Sequence, residues 1–147
     1  MDKSENKISI TKLFKLDQPE GSVMHGLKKS DKSFSGFGEA YFSTVKFNKI
    51  KGWKLHKKMT LNLVVPHGEI RIIAHKASDN DDVVSPLVDM VLGKNNYSRI
   101  TIPPGNWVAF KGIGKKSNIL MNIADIEHDP KETINKDINF FKVDGFE

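Results

Sequence analysis

The sequence contains no cysteine, which excludes a disulfide framework and any thiolate zinc site and fits a reducing compartment. It has no apolar run near the roughly 20 residues that a membrane-spanning helix needs. The first residues, Met1 to Lys7, are polar and lack the apolar stretch of a secretory signal. Together these absences predict a cytoplasmic protein with no membrane partner. No segment keeps the 3.6-residue apolar period long enough to read as a long amphipathic helix, and there is neither an internal repeat nor a low-complexity tract.

What is present is enough to build one core. With 147 residues the expectation is a single domain over 1–147, because two halves would each bury too little surface. Nine Phe, two Trp and two Tyr within a hydrophobic fraction of 38% supply the interior. Twenty-three Lys and Arg against eighteen Asp and Glu leave a formal charge of +5, which favours an anionic partner such as a nucleotide diphosphate, nucleic acid or an anionic membrane surface. The basic cluster Lys46, Lys49, Lys51, Lys54, Lys57 and Lys58 is spread along strand-like sequence, with no recognition helix or aromatic platform beside it. It reads as a solvated strand face or a rim around a diphosphate, so no nucleic-acid partner is expected.

The pattern along the chain is that of β-structure. Residues 1–7 read as frayed, Ile8 to Leu16 alternates apolar and polar groups, and Asp17 to Ser35, rich in Gly, Ser, Lys and Asp, reads as a surface loop. Strand-like runs follow at Tyr41 to Phe47, Met59 to Val65, Glu69 to His75, Val88 to Leu92, Ser98 to Ile102, Trp107 to Phe110 and Asn118 to Ile123. Between them stand Pro66-His67-Gly68, the acidic turn Ser78 to Asp82, Gly93-Lys94-Asn95-Asn96, Pro103-Pro104-Gly105-Asn106 and Gly112-Ile113-Gly114-Lys115, with the residue types that tight turns require. Short strands with turns at this spacing predict an antiparallel sandwich or barrel. Asp129-Pro130-Lys131-Glu132 has the N-cap and first-turn proline of a short helix. The partly apolar tail 131–147 is expected to pack back on the barrel or on a second subunit.

Two stretches carry a family resemblance. Ile50-Lys51-Gly52-Trp53-Lys54-Leu55-His56 and Leu63-Val64-Val65-Pro66-His67-Gly68-Glu69-Ile70, followed by Ser85-Pro86, Val91-Leu92 and Ile102-Pro103-Pro104-Gly105, resemble in order the motifs of the dTDP-4-dehydrorhamnose 3,5-epimerases. The similarity spans roughly Phe37 to Pro130. It implies an all-β fold, a cupin-type double-stranded β-helix or jelly-roll barrel, that pairs into a homodimer. It also implies a nucleotide-sugar epimerase or isomerase that removes a proton next to the ketone of a dTDP-4-keto-6-deoxy sugar, without a cofactor, in surface-polysaccharide synthesis. A dTDP-linked sugar is then the expected small-molecule partner.

The resemblance places the catalytic base at His56, in the histidine position of the family's Arg-Gly-Leu-His segment. Imidazole suits that role, since modest environmental shifts keep its titration near neutral pH. Several positions depart from the family. Trp53 stands where the family has the Arg that helps hold the diphosphate, so that contact passes to Lys51, Lys54, Lys57 or Lys58, each a point charge rather than a bidentate fork. The family's proton-donating Tyr falls at Met121, and the enolate-stabilising Lys falls in a shortened segment, leaving Lys57 or Lys58. The acidic partner of the base is sought among Asp125, Asp137 and Asp144. These departures bear on 3,5-epimerisation and leave open 3-epimerisation, 3,4-ketoisomerisation, or sugar binding without turnover.

Other residues are read from their own chemistry. Trp53 and Trp107 either stack on a thymine or sugar ring or fill the core at the barrel mouth. Asn62, Asn118 and Asn122 lie among apolar strand residues and, since an unpaired buried amide is costly, suggest a polar cavity. The expected ligand contacts are therefore Trp53, Lys54, Lys58, Asn62, Trp107 and Asn122. His67 reads as a turn residue and His75 as a surface one. No metal is expected, because Lys57, Lys58 and Val108 occupy places where a metal-binding cupin would carry ligands.

Overall fold

The computed structural model describes residues 7–78 and 86–146. Its strands are β1 (Ser9–Lys12), β2 (Lys15–Gln18), β3 (Gly21–Met24), β4 (Glu39–Thr44), β5 (Ile50–His56) and β6 (Leu61–His67). They continue with β7 (Glu69–Lys76), β8 (Val88–Gly93), β9 (Ser98–Ile102), β10 (Asn106–Gly112), β11 (Ile119–Ala124) and β12 (Thr133–Asn135). Among the described residues the helical element is a 3₁₀ turn at Pro130–Glu132, and no helix is long and apolar enough to cross a membrane.

Two five-stranded sheets form, in the orders β1-β9-β6-β11-β4 and β12-β5-β10-β7-β8. From β4 to β7 each strand passes to the other sheet, and β9, β10 and β11 alternate again. This is the all-β antiparallel arrangement that the turn spacing predicts, laid out as the jelly roll that the family resemblance implies. Every strand-to-strand ladder is antiparallel. The main core lies between the sheets, with Leu61, Leu63 and Val65 of β6, Ile100 and Ile102 of β9 and Leu120 of β11 from one sheet meeting Ile70, Ile72 and Ala74 of β7 from the other. Each such Leu or Ile contributes roughly 1.5–3 kcal/mol by leaving water.

The structure corrects the surface-loop expectation for Asp17 to Ser35, since β2 and β3 pair there as a hairpin, Lys15 opposite Met24. The rest of that segment is fastened to the first sheet by Arg99, which is fully buried and donates to the Gly26 carbonyl at 2.6 Å and to Ser33 Oγ at 2.7 Å. An ion pair with Asp31 at 3.2 Å neutralises its charge. The frayed start falls, but for Lys7, outside the described residues, as does the acidic turn after Ser78.

A second cluster covers the outer face of the other sheet. Trp53, Leu55, Ile73, Trp107 and Ala109 meet Phe141 and Phe146 of the C-terminal segment. The backbone of Lys136 exchanges hydrogen bonds with Trp53, at 3.0 and 2.9 Å, prolonging the pairing of β12 with β5. Further along, Arg71 donates to the Asp144 carbonyl at 2.7 Å while its fork grips Asp89.

Candidate active site

Alternation along β5 decides which of its side chains reach the space between the sheets. Lys54 and His56 point in, and Trp53 and Leu55 point out. The strand also slips against β10: Lys54 stands opposite Val108 but Lys51 opposite Phe110, so Gly52 and Trp53 share the single partner Ala109. Such a bulge changes which face the following residues occupy, and here Lys51 joins Lys54 and His56 at one cavity. Gly52 makes the slip possible. Its φ is +145°, and a Cβ there would lie 2.7 Å from the Ala109 Cβ.

The cavity holds about 270 Å³. Leu61, Leu63, Val108, Phe110 and Leu120 form its apolar walls, and Tyr41, Ser43, Lys51, Lys54, His56, Asn122 and Asn135 supply its polar groups. Apolar walls with a few convergent polar groups are the usual character of a small-molecule site.

His56 is 7% exposed, and its Nδ1 lies 2.5 Å from Glu132 Oε1. Glu132 arrives from the 3₁₀ turn, where Asp129 accepts from the Lys131 N–H at 3.0 Å and Pro130 opens the first turn. Pairing of Thr133 with His56 then sets the carboxylate against the imidazole. Its other oxygen accepts from the backbone N–H of Lys58 at 2.9 Å and of Met59 at 3.3 Å. Burial pushes the Glu132 carboxyl up, but the His56 hydrogen bond, the two backbone donors and the imidazole charge together hold it below the usual carboxylate range. An ionised carboxylate can only accept, so the Nδ1 proton is given to Glu132 and Nε2 is the ring nitrogen left for a ligand.

Of the residues expected at the site, His56, Lys54 and Asn122 line the cavity and Trp53, Trp107, Lys58 and Asn62 do not. Trp53 and Trp107, 1% and 3% exposed, are packed under the tail on the far face of the sheet, as strand alternation requires once His56 points in. Their core alternative is the one realised. Lys58 is exposed beyond the strand end and serves Glu132 through its backbone, and Lys57 is likewise exposed. Asn62 is buried behind the cavity wall, where its side chain bonds Thr101 Oγ1 at 2.8 Å and the Ile123 carbonyl at 3.2 Å. Asn118 holds turns, accepting from the Glu69 N–H at 2.8 Å and donating to Val45 and Gly114 carbonyls.

The acidic partner is none of the three aspartates considered. Asp125 accepts from the Thr60 N–H at 2.8 Å, Asp137 from the Asn139 N–H at 2.8 Å, and Asp144 meets Arg71 through its carbonyl. Met121 stands on the outer face opposite Val64, and its neighbour Asn122 faces inward with Tyr41. His75 is not at the surface but buried, 3% exposed, with its ring 4.3 Å from that of Phe141. Sequence reasoning missed Tyr41, Ser43, Asn135 and Glu132. The inward parity of Tyr41 could have been found by pairing β4 with β11, whereas nothing local marks Glu132.

No family model matches the sequence, and no curated protein matches it. Solved structures do. A dTDP sugar isomerase from Desulfovibrio desulfuricans G20 is 30% identical, with a TM-score of 0.81 over 88% of this chain and 83% of that one. A sugar 3,4-ketoisomerase from Thermoanaerobacterium thermosaccharolyticum, in complex with TDP, is 17% identical, with a TM-score of 0.72 over 90% of both chains. A dTDP-4-dehydrorhamnose 3,5-epimerase from Bacillus anthracis, with TDP and PPi bound, is 13% identical and has a TM-score of 0.74 over 92% of this chain and 81% of that one.

Proposed function

Because the chain belongs to the RmlC-like family of dTDP-sugar isomerases and dTDP-4-dehydrorhamnose 3,5-epimerases, we propose that it is an isomerase or epimerase of a dTDP-4-keto-6-deoxy sugar, acting by proton transfer next to the ketone. The observation that carries this reading is the His56 imidazole, held by Glu132 at 2.5 Å while lining a cavity with Tyr41, Lys51 and Lys54. In the proposed reaction Nε2 of His56 takes the proton from the carbon beside the carbonyl. The C–H electron pair becomes the C=C bond of an enolate, and the carbonyl π pair moves to oxygen. Tyr41 or Lys54 stabilises that oxygen, and in the final step the proton returns either to the same carbon, giving epimerisation, or to the former carbonyl carbon while the C3 hydroxyl passes its proton to the former carbonyl oxygen, giving 3,4-ketoisomerisation.

Lys51 and Lys54 offer the positive charge for a diphosphate, in place of the arginine fork that Trp53 replaces. One imidazole and one phenol at the cavity favour a single proton shuttle, as in 3,4-ketoisomerisation or 3-epimerisation, with the product destined for surface polysaccharide. Pairing with a second copy is supported by β4, an edge strand on which Phe42 is 69% exposed, with Phe37 just before the strand at 66%.

Incubation with dTDP-4-keto-6-deoxyglucose in deuterated water tests the proposal. Deuterium at C3 alone fits 3-epimerisation, deuterium at C4 of a 3-keto product fits 3,4-ketoisomerisation, and exchange at C3 and C5 fits 3,5-epimerisation. Binding of dTDP without exchange would identify a silent sugar-binding relative, and absence of both would end the nucleotide-sugar reading.

A further inference from the structure

We propose that Asn122 is a positioning residue that makes the Tyr41 phenol a hydrogen-bond donor toward the cavity, an inference that rests on the proton-transfer reading above for its catalytic consequence but not for its geometry.

Asn122 sits on β11 directly opposite Tyr41 of β4, and is 2% exposed. Its amide could in principle present either end to the tyrosine. The backbone decides. The peptide N–H of Asn62 lies 3.1 Å from Asn122 Oδ1, and a peptide N–H can only donate, so the carbonyl end must face it. Nδ2 is thereby turned toward Tyr41 Oη at 3.0 Å, with the weakly accepting Met59 Sδ at 3.8 Å as its second neighbour. An amide nitrogen has only protons to offer, so Tyr41 Oη accepts from Asn122.

The reference point is itself fixed. Asn62 is fully buried within β6, paired with Thr101 of β9, so the strand holds its peptide in place, while its side chain receives Thr101 Oγ1 at 2.8 Å and donates to the Ile123 carbonyl at 3.2 Å. The chain of bonds from Thr101 through Asn62 and Asn122 therefore ends on the lone pair of Tyr41. The phenol retains one proton. Among the described residues no hydrogen bond from that proton to a protein acceptor is found, and Tyr41 lines the cavity. Tyr41 is 40% exposed, so water takes that hydrogen bond until a ligand oxygen in the cavity replaces it. A phenol so preset is ready to meet negative charge as it develops on a ketone oxygen, with no reorganisation at the moment of reaction.

Asn122→Asp is the sharp variant. One carboxylate oxygen still accepts from the Asn62 N–H, but the other has no proton to give and takes the Tyr41 hydroxyl proton for itself, turning it from the cavity. Asn122→Leu removes the bond altogether. The chain has two tyrosines, so labelling with tyrosine carrying carbon-13 at the ζ position yields two signals, assigned with Tyr41→Phe. The Tyr41 signal is expected to move in both Asn122 variants while that of Tyr97 stays, and an unmoved Tyr41 signal in both overturns the proposal. With dTDP-4-keto-6-deoxyglucose as substrate, Asn122→Asp is expected to lower kcat by about two orders of magnitude with KM nearly unchanged, and Tyr41→Phe added to it to cost little more. Losses that multiply instead would mean that the two side chains act separately, and would overturn it as well. If the parent protein catalyses no exchange while the Tyr41 signal still moves, the positioning stands and the proposed reaction falls.

Discussion

His56 at the end of β5 and Glu132 in the 3₁₀ turn before β12 are 76 residues apart in sequence and meet at 2.5 Å. The carboxylate is 2% exposed and reaches this position only because the last strand lies antiparallel on β5, Thr133 against His56. The C-terminal segment thus does two things at once: it roofs the outer face of one sheet and supplies the group that orients the imidazole on the inner face.

Replacing the imidazole should separate chemistry from binding. His56→Ala is expected to reduce solvent exchange into the sugar by about 10²- to 10⁴-fold, while dTDP affinity, measured by calorimetry, changes little because the lysines at the cavity remain. Unchanged exchange would remove His56 from the role of base.

The Glu132 carboxyl, held below its ordinary value of 4.5, gives a pH dependence with a definite sign. The unfolded chain takes up this proton more readily than the native one, so the stability contributed is complete above about pH 4.5 and is lost as pH falls through the lowered native value. Urea titrations of the parent and of Glu132→Gln from pH 7 downward should therefore converge in the acid range. Parallel curves would show that the carboxylate charge adds nothing to the fold.

Glu132→Ala should be more harmful than Glu132→Gln. It strands the buried N–H of Met59, the half-buried N–H of Lys58 and the ring of His56, at a cost of about 1–3 kcal/mol for each buried polar group left unsatisfied. Denaturant midpoints of the two variants measure the difference, and equal midpoints would contradict it.

Gly52→Ala should strain the bulge that aims Lys51. The added methyl would meet Ala109 Cβ at 2.7 Å and Cα at 2.9 Å, from a φ of +145° that side chains rarely adopt. A loss on the order of 1–3 kcal/mol is expected from the crowding, read as a lowered melting temperature. A variant as stable as the parent would mean that the two strands separate easily here.

Phe141→Ala empties the centre of the outer cluster, where the ring stands 5.0 Å from Trp53 and 5.6 Å from Trp107. A destabilisation of about 3–5 kcal/mol is expected, with tryptophan emission shifting to the red as water reaches both indoles. Unaltered emission would place the tryptophans' shelter elsewhere.

Much of the strand content was legible because short-range signals fix it. Ser98–Ile102 is β9 to the residue, and Glu69 to His75 falls within β7, since β-branched runs bounded by Gly, Pro and Asn leave the backbone few alternatives. The β2–β3 hairpin was not legible, because its strands bury almost nothing and carry no apolar alternation. His56 was found from the motif around it. The two tryptophans were misplaced at the site because their aromatic character suits a ligand and a core equally well, and only the parity of the strand distinguishes them.

The sequence by itself determined the class of the fold, the absence of thiol chemistry and the presence of an imidazole at position 56, all of which depend on residue type and nearest neighbours in the chain. Tertiary structure alone decided which face of β5 is the inner one, that Tyr41 and Asn122 share it, and that the partner of the imidazole is Glu132. Those relations depend on strand register and on contacts between residues far apart in sequence. Because side chains alternate along a strand, a slip of one residue exchanges the two faces, and no local pattern in the sequence records the slip at Gly52.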